Sequence, residues 1–141
     1  MIPRFTMRQA LQDQALLGAT LADPSWESWR VLLIAAMGEC LNPAERKLFA
    51  RFTGREREPC QRIEEAAFVI GRRGGKDRAA SALAAYIAGL CNHSDVLAPG
   101  ERGMVLCLAP DQRQARISLD YATATFQATR RVGSRRGPGF E

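Results

Sequence analysis

A glycine-rich stretch, Gly71-Arg-Arg-Gly-Gly-Lys76-Asp77, lies between a short apolar run and a helix-periodic segment. That order narrows what the chain can fold into. Glycines let a backbone curl until its amides converge on one side. A helix that starts directly after the curl turns its free N–H groups and the positive end of its dipole toward whatever the curl encloses. A lysine at the end of the curl adds a mobile ammonium. These are the parts of a phosphate-binding loop, and strand–loop–helix is the context that such a loop requires. The stretch departs from G-x-x-x-x-G-K-[ST] in two places. It has one residue fewer between its first glycine and the Gly-Lys pair. It also carries Asp77 where a hydroxyl residue normally holds magnesium. A carboxylate there ligates the ion directly or through water, or it caps the helix. Arg72 and Arg73 either stabilise charge on a transferring phosphoryl group or belong to a solvated turn.

The flanking patterns predict an α/β architecture. Residues 66–70 and 104–109 are apolar runs of strand length, suited to strands buried on both faces. Residues 77–90 read as a helix with Ala80, Leu83, Ala84, Ile87 and Cys91 on one side. A second helix opens at Pro110-Asp111, with Ala115, Leu119, Ala122 and Phe126 on one face. The order strand, helix, strand, helix implies parallel strands with crossover helices. The expected fold is therefore a partial P-loop NTPase preceded by a helical N-terminal segment. Within residues 1–60, positions 7–21 are weakly helical. Asp23-Pro24 starts a helix carrying Trp26, Trp29, Leu33, Ala36, Met37 and Cys40. The two tryptophans are read as packing this helix on its neighbours. Asn42-Pro43-Ala44-Glu45 starts another helix with a capping box, which Gly54 ends in a left-handed conformation. Residues 61–126 form the expected core. Residues 127–141, with Arg130, Arg131, Arg135 and Arg136, are expected to be a disordered basic tail.

The net charge of +5 is compatible with a polyanionic partner but does not identify one. Cys40, Cys60, Cys91 and Cys107 form no C-x-x-C pair, and His93 is the only histidine, which argues against structural zinc. Cys107, inside an apolar run, is expected to be a buried free thiol. The longest apolar run, 31–37, is far too short to span a bilayer. Composition and cysteine usage point to a soluble chain in a reducing cytoplasm.

Residues 69–81, Val-Ile-Gly-Arg-Arg-Gly-Gly-Lys-Asp-Arg-Ala-Ala-Ser, resemble the Walker A region of large terminase subunits, the DNA-packaging motors of tailed phages. Residues 105–115, in which an apolar run ends in Ala-Pro and leads into Gln-Ala, are similar to the next motif of those ATPases. The stretch 41–57, with its Phe-x-x-Phe-Thr-Gly-Arg pattern, is similar to what precedes the loop in prophage terminases. The resemblance covers about residues 25 to 122. Superfamily 1 and 2 helicases share parts of both motifs.

The resemblance implies ATP and Mg2+ as cofactors. Gly71, Gly74, Gly75 and Lys76 would hold the phosphates, Asp77 would lie near the metal, and Arg72 or Arg73 would act as an arginine finger. In an intact homologue it further implies double-stranded DNA, a small terminase subunit and a portal as partners, in the cytoplasm of a bacterial host. No apolar run ending in Asp-Glu follows Lys76, so the Walker B element that holds magnesium and orients water is missing, as is the nuclease domain. The expectation is a truncated large terminase subunit that does not hydrolyse ATP alone. A helicase-like ATPase fragment and a small basic nucleic-acid-binding protein are the alternatives.

Overall fold

The computed structural model describes residues 1–133. The N-terminal third follows its local signals in part: of residues 7–21 only 7–12 are helical and 14–21 are turns, and the helix expected to carry Met37 and Cys40 ends at Ala36. Helix α1 (Met7–Gln12) is capped by Thr6, whose hydroxyl accepts from the Gln9 amide while the Gln9 side chain accepts from the Thr6 amide. The carboxylate of Glu39, from a distant turn, accepts from the amides of Met7 and Arg8 as well. Asp23 caps a single 3-10 turn (Pro24–Trp26), which runs into helix α2 (Glu27–Ala36). Helix α3 (Pro43–Thr53) has the expected capping box between Asn42 and Glu45, and its left-handed exit is Gly54 at φ 68°.

Helix α4 (Lys76–Ala85) continues as a π-helical turn (Tyr86–Leu90). A two-stranded antiparallel ribbon follows, joining β1 (Ile2–Pro3) to β2 (Cys91–Asn92). Helix α5 (Gln112–Gly133) packs along α4. It runs seven residues into the stretch expected to be a disordered tail (127 to 133); residues 134–141 of that stretch lie outside the described residues.

The core is built by the N-terminal segment and α4 together. Met7, Leu11, Leu17, Leu21, Val31, Leu33, Ile34, Leu41 and Phe49 cluster with Ala82, Ala85, Tyr86 and Cys91. Tyr86 is completely buried and its hydroxyl donates to the Phe5 carbonyl at 2.7 Å, which satisfies its one polar group. Burial pushes the Tyr86 hydroxyl and the Cys91 thiol above their ordinary ranges. Two ion pairs tie the layers. Arg8 forks onto Glu45 across the α1–α3 contact, and Arg46 forks onto Glu58.

The expected parallel α/β fold is not what the chain adopts. The described residues are mostly helical, and the two-residue strands of the ribbon form the single sheet among them. Neither predicted strand forms. Residues 65–70 and 101–109 run without helix, turn or pairing. Val69 is fully exposed, Met104 is 85% exposed and Leu108 is 84% exposed. Cys107, expected to be buried, is exposed with them. The physical reason is non-local. A doubly buried strand exists only when neighbouring strands take up its amides and carbonyls, and two runs separated by one helix do not supply a sheet.

The two helices form, but with partly shifted faces. Leu83 on α4 and Ile87 just beyond it pack against the core and Cys91 is buried, as expected, but Ala79, Ala82 and Ala85 are the more deeply buried positions and Ala80 is exposed; on α5 Thr125 is buried while Leu119 is 58% exposed. Buried hydroxyls permit this. Thr125 donates to the Tyr121 carbonyl, and Ser81 shares its proton between the carbonyls of Asp77 and Ser118. Small residues on α4 then let α5 approach closely, so that Phe126 covers Gly89.

Candidate phosphate-binding loop

The loop between residue 70 and α4 is held from behind by the 3-10 turn and α2. Trp26 and Trp29 lie three residues apart and share one face. The Trp29 indole N–H donates to the Gly74 carbonyl at 2.8 Å. Its ring meets Phe68 at 5.5 Å between centroids. Trp26 packs against Gly75, so that a Cβ added there would stand 2.6 Å from two ring carbons. The Arg78 guanidinium lies over the Trp26 ring at 5.1 Å from its centroid, a cation–π contact. The tryptophans do pack their helix on a neighbour, as expected. The neighbour is the glycine loop, a contact between residues 45 positions apart that no local pattern announces.

The loop backbone is curled. The Gly74 amide donates to the Gly71 carbonyl at 3.3 Å. Arg73 at φ 62° and Gly75 at φ 77° are left-handed, while Gly74 between them is not. Such alternation turns successive amides to a common side. Gly74 has no room for a side chain either, since a Cβ would stand 2.3 Å from the Ile70 side chain.

Gly75 is the N-cap of α4 and offers no side-chain acceptor. The first amides of the helix therefore have no intrahelical partner. Asp77 sits inside the first turn and does not cap the helix; its carboxylate lies 3.6 Å from the Lys76 ammonium. Lys76 is the first helical residue and stays largely exposed, and Arg72 and Arg73 are exposed on the turn. Thus Gly71, Arg72, Arg73, Gly74, Gly75, Lys76 and Asp77 form one continuous edge. Arg73, Gly71, Gly74 and Gly75 border a groove of about 920 Å³ whose other wall is Trp26, Trp29, Phe49 and Phe52.

The residues fit magnesium poorly. Asp77 is the one carboxylate at the loop, it is engaged with Lys76, and no group of three metal-ligating side chains exists among the described residues. No helix among those residues is long and apolar enough to cross a membrane. No protein-family profile, curated protein or solved structure matches the chain.

Proposed function

We propose that the chain is a terminase-like ATP-binding protein that takes the phosphates of ATP on residues 71–77 and does not hydrolyse them. One observation carries the reading. An uncapped helix N-terminus, reached through a left-handed glycine, is bordered by three exposed cationic side chains, Arg72, Arg73 and Lys76. An anion there gains hydrogen bonds from free amides, the helix dipole and local positive charge together. The resemblance of residues 69–81 and 105–115 to terminase motifs supports ATP over a simpler phosphate. In that reading the amides of Gly75, Lys76 and Asp77 hold phosphate oxygens and Lys76 neutralises the terminal group. Arg72 and Arg73 screen the remainder, and Trp29 fixes the loop through Gly74. Any magnesium would arrive with the nucleotide. Double-stranded DNA, a small terminase subunit and a portal are proposed only for a whole packaging motor in a bacterial cytoplasm.

Catalysis is not proposed, because phosphoryl transfer depends on positioned water and metal and no group of three metal-ligating side chains exists among the described residues. The test is calorimetric titration of the full chain with ATP, beside Lys76→Ala and Arg72→Ala/Arg73→Ala chains. Binding that weakens about tenfold or more in each variant, the loss expected for one charge-assisted contact, supports the reading. Equal binding by all three proteins refutes it and leaves a general basic surface. ATP turnover well above that of the Lys76→Ala chain would refute the second half of the proposal.

A further inference from the structure

Residues 64–73 read Glu-Glu-Ala-Ala-Phe-Val-Ile-Gly-Arg-Arg, with two negative charges at one end, two positive charges at the other and apolar residues between. Residues 65–70 carry no backbone pairing to any other element among the described residues, although their side chains have the composition of a strand. The segment is nonetheless fixed in place. Its start is tied by the Ile63 amide donating to the Ala36 carbonyl at 2.9 Å. Its middle rests on Trp29 through Phe68, and its end is held by the bond from Trp29 to Gly74. The outward side is bare, with Ala66, Ala67 and Val69 exposed. Glu64, Glu65, Arg72 and Arg73 are all exposed and make no ion pair among the described residues. A preorganised, apolar, unpaired edge is a template for another strand.

We propose that this edge pairs with the same edge of a second copy of the chain, forming a two-fold antiparallel ribbon. Charge complementarity selects the occupant. A two-fold axis normal to the ribbon keeps each residue on its own face, so residue numbers facing one another must add to an even sum. The two central registers place either Phe68 or Val69 opposite itself. In both, Glu64 reaches Arg72 of the second copy and Glu65 reaches Arg73 of the second copy, one pair directly and the other on the diagonal. Symmetry repeats each pair, and a parallel pairing would set like charges together. The other bare run, 104–109, has no such arrangement, because Glu101 and Arg102 stand together at one end and Asp111 and Arg113 at the other.

The pairing does not require ATP binding, although it uses two of the same arginines, and sedimentation of the full-length chain over a wide concentration range tests it. The expected result is a reversible monomer–dimer equilibrium that loosens as salt is raised. V69K should abolish the dimer, and because Val69 is fully exposed in the monomer the substitution should leave circular dichroism unchanged. E64R/E65R and R72E/R73E turn four exposed pairs from attraction to repulsion, so each should weaken dimerisation about tenfold or more. Mixing these two variants should restore a heterodimer, and combining all four substitutions in one chain should restore a homodimer. A chain that stays monomeric at its highest soluble concentration assigns the edge to another protein's strand and overturns the proposal. So does a dimer that survives V69K, or one that the charge swap does not rescue.

Discussion

Replacing Gly75 by alanine tests whether the loop is held by the tryptophans as described. Two separate costs meet at this residue. Its φ of 77° is left-handed, which costs a residue with a Cβ about 1–2 kcal/mol. The added Cβ would stand 2.6 Å from two Trp26 ring carbons and 3.4 Å from the Trp29 indole nitrogen. The ring cannot retreat freely, because Arg78 covers it and Trp29 is bonded to Gly74. Forcing a methyl group into such a contact costs about 1–3 kcal/mol. The expected loss is therefore about 2–5 kcal/mol, the sum of the two. Gly54 supplies the control. It is left-handed at φ 68° with nothing within 4 Å of an added Cβ, so Gly54→Ala should show the backbone cost alone. Equilibrium urea denaturation measures both. Adding Trp26→Ala closes a double-mutant cycle, and the coupling between positions 26 and 75 should recover about 1–3 kcal/mol, the steric part. A Gly75→Ala chain no less stable than Gly54→Ala, or a cycle with no coupling, would refute the packing of α2 on the loop.

Three further outcomes are expected. Hydrogen bonds from Arg46, and then from the Leu41 amide, hold the Glu58 carboxyl down to about 2. A carboxyl lowered on folding stabilises fully above its unfolded range and loses that contribution as pH falls from there toward the folded value. Glu58→Gln should therefore cost about 1–2 kcal/mol near neutrality, discounted for the exposure of Arg46, and should flatten the stability profile below pH ~4.5; an unchanged acid limb would contradict the pair. Under native conditions Cys40, Cys60 and Cys107 should react quickly with a thiol reagent while Cys91 lags until unfolding; a protected Cys107 would mean that 104–109 is buried in a sheet after all. Glu39→Ala removes the acceptor for two amides at the start of α1 and should destabilise by about 1–2 kcal/mol in thermal melts, while Glu39→Gln should recover part of the loss.

Where a signal is local, the sequence shows it. Asn42 and Glu45 are three residues apart and need only one helical turn to find each other, so their capping box is legible in the residue order alone. The same holds for Asp23 before Pro24 and for glycine at position 54. The helix after the loop is legible because small and apolar residues recur from 77 to 90. The faces that it and α5 bury are only partly so, because Ser81 on α4 and Thr125 on α5 become acceptable inside once their hydroxyls find helix carbonyls. The loop is legible as glycines and charges. Its support is not, since nothing in the spacing of Trp26 and Trp29 says that their partners are glycines more than forty residues on.

The two predicted strands fail for a reason that also explains the shape of the surface. An apolar run of five or six residues states only that its side chains prefer burial. Whether it becomes a strand depends on donors and acceptors contributed by other segments. In this chain the apolar helices find partners within the N-terminal segment and α4, and they close a core of their own. Residues 66–70 and 104–109 are then left outside it, still apolar and without ladder partners among the described residues. Apolar side chains exposed along an unpaired run are where a binding partner gains most from burial. The two runs differ in what they specify. The second carries both charge signs at each end and favours no orientation. The first separates its charges along its length, is anchored at Ile63, Phe68 and Gly74, and ends in the arginines of the candidate phosphate loop. Polyphosphate at that loop and Glu64 and Glu65 of a second copy would draw on the same two guanidinium groups. Pyrophosphate added to the sedimentation experiment should therefore shift a wild-type dimer toward monomer more than an equal ionic strength of chloride does. Equal shifts would show that the arginines serve the pairing without touching the anion.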